Sequence, residues 1–222
     1  MIALGIDTTG RGGAVALARA DEVLGVQVHD PALGYAEELF GLLDELLERC
    51  ALSRQQIDAV AVLSGPGSFT GLRIGVMTAK TLAFALDRPL LAAPTLDLIA
   101  AISGDGHKLA LADAGGGHVW AREYQVGAGT VRALGEIVRA VPDELPSGPQ
   151  RVSAAPLSLG TVIGDLAGPL ARLTAAGSEP VHKADPLDLV PDYASLSQAE
   201  RMHGLDLSEE LRRPIKPRGW DT

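Results

Sequence analysis

Ser64-Gly65-Pro66-Gly67-Ser68-Phe69-Thr70-Gly71-Leu72-Arg73-Ile74-Gly75 follows an all-apolar run over residues 59–63 and leads into a helical pattern over 70–86. A buried strand, a glycine-rich turn and a helix in that order form the joint of an α/β architecture. Glycines placed there tolerate positive φ and let backbone N–H groups face an anion. Gly65, Gly67 and Ser68 are therefore candidate phosphate-binding positions. The stretch is not a P-loop, because Leu72-Arg73 stands where a lysine and a hydroxyl residue would be required. The plainer reading is a tight strand-to-helix turn.

Upstream, residues 2–6 form a short apolar run stopped by Asp7-Thr8-Thr9-Gly10, a strand entering a turn. Residues 13–20 and 22–28, with a corner at 19–21, complete a predicted three-strand meander. The period then becomes helical. Ala36, Leu39, Phe40, Leu43, Leu46, Leu47 and Cys50 share one face, and most of the acidic residues lie off it. Downstream, 90–93 is a fifth strand and 95–102 a short helix. Ser103-Gly104-Asp105-Gly106-His107 is a composition break, which predicts a lobe over 1–104 and a second over 105–222. In the second lobe, 108–112 and 119–126 are expected to pair around Asp113-Ala114-Gly115-Gly116-Gly117, with a proline-rich loop at 142–149. The pattern beyond 150 is mixed until a predicted helix at 195–211.

The chain has 222 residues, 28 acidic and 19 basic, and a formal net charge of −9. Autonomous binding to nucleic acid rests on a basic surface, so this balance disfavours it. Only Arg212, Arg213, Lys216 and Arg218, near Trp220, form a basic cluster. The single cysteine, Cys50, excludes an internal disulfide and is expected to pack as a small hydrophobe. No contiguous apolar run approaches a membrane span and no secretory leader is visible, so the expected compartment is the cytoplasm.

Chemistry-bearing constellations are sparse. The five histidines, at 29, 107, 118, 182 and 203, show no paired spacing, and no nucleophile-elbow motif occurs. Neither a catalytic set nor a metal site is expected. Asp7 and Thr8, at the end of the first strand, are similar to the phosphate-facing turn of actin-like ATPases and sugar kinases. Gly71, Gly75, Ala79 and Ala83 recur every four residues and share one helical stripe where another backbone could approach closely. That neighbour is either the protein's own sheet or a second chain. The partner-surface expectation places Gly71, Arg73, Gly75, Ala79 and Ala83, with Leu39 and Leu43 of the preceding helix, at an interface.

The glycine-rich stretch, followed by Ala79-Lys80-Thr81-Leu82-Ala83-Phe84-Ala85-Leu86, resembles the signature of the TsaB (YeaZ) family. The opening Ile6-Asp7-Thr8-Thr9, the strand at 57–63 and the segment 113–124 match in the same order. Beyond residue 125 little but Pro191-Asp192-Tyr193 matches. The resemblance implies an actin-like, Hsp70-like (ASKHA, ribonuclease H-like) two-lobed α/β fold. It also implies a non-catalytic subunit of the machinery that adds threonylcarbamoyl to N6 of adenosine 37, in tRNAs reading codons that begin with A. A TsaD-type catalytic paralogue and a TsaE-type ATPase would be its partners, holding the ATP and the metal. The isolated subunit would be a homodimer that meets tRNA only through the complex. Two departures stand out: Tyr35 and Leu39 occupy the paralogue's histidine-pair positions, and Gly115 replaces a common arginine. The alternative readings are an actin-like ATPase or phosphotransferase using Asp7 and the 65–71 turn, and, third, a metallo-endopeptidase.

Overall fold

The computed structural model describes residues 1–10, 13–28, 35–154, 161–162 and 164–193. The predicted 195–211 helix and the basic cluster lie outside them. Six strands form the first sheet: β1 (Ile2–Asp7), β2 (Ala14–Arg19), β3 (Glu22–Val28), β4 (Ala59–Gly65), β5 (Leu90–Pro94) and β12 (His182–Ala184), in the order β12-β5-β4-β1-β2-β3. β1 runs antiparallel to β2 and parallel to β4, and β4 runs parallel to β5. This central, two-sided burial is why β1 and β4 are almost unbroken apolar runs.

Helices α1 (Tyr35–Arg49) and α2 (Phe69–Leu86) cover one face of that sheet. Leu39, Leu43, Leu46 and Leu47 of α1 meet Val76, Ala79, Leu82 and Ala83 of α2 over Leu4, Ile6, Val60 and Val62. Ser68 caps α2, its hydroxyl accepting from the Gly71 amide, and Asp87 closes it in the left-handed region at φ 52°. By length and a mean hydropathy of 1.2, α2 is apolar enough to cross a membrane, which a count of contiguous apolar residues overlooks. Its buried stripe against the sheet is instead that of a core helix.

The short helix α3 (Thr95–Ala101) leads to the second sheet. Its strands are β6 (Gly106–Gly115), β7 (His118–Gly127), β8 (Thr130–Ala133), β10 (Gln150–Ser153) and β11 (Thr161–Val162), in the order β11-β10-β6-β7-β8. β9 (Val138–Ala140) also pairs with β7. The boundary expected at 104/105 needs correcting. α4 (Ala167–Ala176) returns to the first sheet, where Ala167 and Ala171 pack on Ala14, Ala16 and Ala18, and β12 pairs with β5. Small side chains on both sides permit that close approach, and the second lobe is an insertion rather than everything after 104.

Candidate functional site

The turn after β1 and the turn after β4 meet at one end of the first sheet. The Thr9 amide and hydroxyl both donate to Asp7 Oδ1, at 2.8 and 2.7 Å. Asp7 is buried, and burial raises its carboxyl above the ordinary value; the Thr9 bonds oppose the shift and the charge of Asp165 adds to it. The Thr8 hydroxyl donates to the Gly71 carbonyl at 2.7 Å, and the Ser68 amide donates to the Thr9 carbonyl at 2.7 Å. The Ser68 and Gly71 amides, which a phosphate would want, are thus already engaged.

Steric fit gives the same answer. A Cβ at Gly71 would overlap the Thr8 carbonyl, and one at Gly75 the Thr8 hydroxyl. One at Gly67 would press on Thr9, and one at Gly65 on the carbonyl of Asp192. The space these glycines leave is taken by the protein's own Thr8, Thr9 and Asp192. The segment Pro191-Asp192-Tyr193 seals the turn from outside: the Asp192 amide donates to the Ser64 carbonyl at 2.6 Å. The Tyr193 ring lies 4.5 Å from Phe69, whose other contact is the Arg73 guanidinium, 5.6 Å from its centroid.

These contacts correct the expected interface. Gly71, Gly75, Ala79 and Ala83 are buried against the chain's own sheet, as are Leu39 and Leu43 in the first core. Small residues every four positions do mark a close neighbour, and here that neighbour is internal. Of the seven expected interface residues, Arg73 alone is exposed. The surface of α2 is the opposite stripe, Thr70, Arg73, Met77, Thr81 and Phe84. Met77 is 60% and Phe84 87% exposed, and Phe40 on α1 is 39% exposed. Met77 and Phe84 were missed because their spacing looks like ordinary core periodicity, and Phe40, expected on the buried face of α1, is corrected to an exposed position.

The second sheet has a matching turn. The Gly115 amide donates to Asp113 Oδ1 at 2.8 Å, as Thr9 does to Asp7. His118 Nδ1 lies 3.0 Å from the Gly116 carbonyl, and His107 pairs with Glu123 at 2.7 Å. Among the described residues no three His, Cys, Asp or Glu side chains are grouped to hold a metal. Cys50 is half-buried and packs against the first core.

Residues 25–161 match the family described as TsaD: tRNA N6-adenosine threonylcarbamoyltransferase. The chain belongs to this family. Within it, the resemblance to TsaB (YeaZ) members is the more extensive: a Bacillus subtilis "tRNA threonylcarbamoyladenosine biosynthesis protein TsaB" is 34% identical over 65% of this chain. That match spans 61% of the relative's length. A Rhizobium meliloti tRNA N6-adenosine threonylcarbamoyltransferase is 39% identical over 41% of this chain and 27% of its own. A solved structure titled "YeaZ from Pseudomonas aeruginosa" covers 86% of this chain and 99% of its own, with a TM-score of 0.67 and 23% identity. Likeness at that identity concerns the fold, and the fold of this family member is the two-lobed α/β one expected.

Proposed function

We propose that this TsaB-family chain is a non-catalytic, scaffolding and activating subunit in the synthesis of threonylcarbamoyladenosine on tRNA. Its partners in this reading are a TsaD-type catalytic paralogue and a TsaE-type ATPase, which hold the ATP and the metal. The observation that carries it is the division of labour across α2. The glycine-rich turn is filled by Thr8, Thr9 and Asp192, while the outer stripe of α2 offers Met77 and Phe84. Large exposed apolar side chains grouped on one face suit a protein partner. The same face would serve self-association of the isolated chain. The ATPase or phosphotransferase reading draws less support, since the Ser68 and Gly71 amides are engaged internally.

The chain's net charge of −9 fits contact with tRNA through the complex, in the cytoplasm, rather than alone. Reconstitution with paralogue, ATPase, substrates and tRNA, with and without this chain, tests the reading by mass-spectrometric detection of modified adenosine. Product formation should depend on the chain, and a Phe84→Asp variant should stay folded yet fail to assemble. Full product without it would defeat the proposal, as would MgATP turnover by the isolated chain.

A further inference from the structure

We infer that Arg73 is the charged anchor of the α2 docking face and receives a carboxylate from the partner chain; this rests on the partner-docking reading above. Arg73 lies on the exposed stripe one turn before Met77, with Phe84 about 16 Å further along the helix axis. The other cations of α1 and α2 are committed. Arg49 donates to the Gln27 side chain and the Val26 carbonyl, both at 2.6 Å. Lys80 is partly buried and faces the charges of Asp185 and Asp188. Arg73 has no carboxylate in ion-pair reach among the described residues; it rests over the Phe69 ring and its charge also acts on the Tyr193 hydroxyl.

That contact holds the charge in place rather than neutralising it. Phe69 is itself braced by Tyr193, with ring centroids 4.5 Å apart. A guanidinium resting on an aromatic face is weakly hydrated and loses less freedom on forming an ion pair than a free side chain does. Its planar donor fork suits a carboxylate, and arginine beside large apolar side chains is a common composition at the energetic centre of interfaces. The partner chemistry is therefore a carboxylate set among apolar side chains, the complement of Arg73, Met77 and Phe84. The 191–193 segment acquires a function too, since Tyr193 positions Phe69 and through it Arg73.

The test is titration calorimetry of the full chain against the TsaD-type paralogue at low and high ionic strength. Arg73→Met should weaken the complex about tenfold or more and remove most of its salt dependence, with an unchanged melting temperature. Arg73→Lys should be intermediate, because the charge is kept and the stacked fork lost. Tyr193→Phe should bind like the wild type, whereas Tyr193→Leu should bind several-fold more weakly. Wild-type affinity and salt slope in Arg73→Met would overturn the anchor while leaving the docking face standing. No complex with the unaltered chain would overturn both.

Discussion

The two sheets repeat one plan and finish it differently. β3-β2-β1-β4-β5 and β8-β7-β6-β10-β11 share strand order and direction, with two antiparallel pairings on one side of the first strand and parallel pairings on the other. Near the end of each first strand an aspartate, Asp7 or Asp113, accepts a backbone amide two residues on. At the first sheet that end is packed solid by Thr8, Thr9 and Asp192. At the second, Gly115, Gly116 and Gly117 all have positive φ and a Cβ at any of them would meet nothing within 4 Å. The same topology thus yields a sealed end beside α2 and an open hairpin tip. Strand order does not determine what a turn does; the side chains and segments that reach it do.

The sharpest way to break this contrast is Gly75→Leu. The added side chain has the Thr8 hydroxyl in its path, so the variant should lose at least about 3 kcal/mol, at or above the upper range for overpacking. Denaturant unfolding would read that loss. A Gly75→Leu protein that kept its stability and lost only association would restore the interface assignment.

Tyr124→Phe probes the join between the sheets. The Tyr124 hydroxyl donates to Asp97 Oδ1 at 2.5 Å, with Arg122 3.9 Å from the same carboxylate. Losing a buried hydrogen bond to a charged group should cost about 1.5–3 kcal/mol. Thermal unfolding at neutral pH checks it, and an unchanged midpoint would remove this contact from the account.

Gly116→Ala is the counterpart at the open tip. Only the left-handed backbone, φ 62°, opposes it, so a loss of about 1–2 kcal/mol is expected, with no change in partner binding. A larger loss would mean that the tip is not open.

The smallest effect is one of slope. Because Asp7 has a raised pKa in the folded chain, the folded state binds its proton more tightly than the unfolded state does. Its contribution is complete below the ordinary value of 3.8 and is lost as pH rises through the raised folded value. Stability of the wild type minus that of Asp7→Asn should fall across that window. A difference that rose with pH would contradict the burial of Asp7.

From β1 to α3 the sequence was legible, because each element is long enough to show its period. Leu39, Leu43, Leu46 and Leu47 of α1 and the strand–turn–helix around Gly65 needed no structure to find, whereas Phe40, read onto the same face, is exposed. Past residue 150 the elements are too short or too weakly patterned. β11 has two residues and β12 three, and α4 reads AGPLARLTAA, with glycine and proline in its first turn. The equivalence of the two sheets was invisible because Asp7-Thr8-Thr9 and Asp113-Ala114-Gly115 share only the aspartate that makes the turn. At the candidate site the stripe of small residues was read correctly as a close contact and assigned to the wrong neighbour. Composition says that something approaches Gly75; only the tertiary fold says that it is Thr8. Tyr193 was visible as part of the family resemblance, but its stacking on Phe69 depends on a chain reversal that local pattern does not encode.

One apolar cluster runs through both sheets. Ala61, Leu63 and Ala93 of the first sheet, Leu96, Leu98 and Ile99 of α3, Trp120, Tyr124 and Val152 of the second, and Leu170 of α4 form a continuous core. A jaw-like cycle would have to bare this seam at every opening, at about 1.5–3 kcal/mol for each large side chain returned to water. The two sheets accordingly behave as one wedge. On the docking reading proposed above, a partner on α2 would gain a fixed surface to lean on, and this chain would act on it by shape and position, without a stroke.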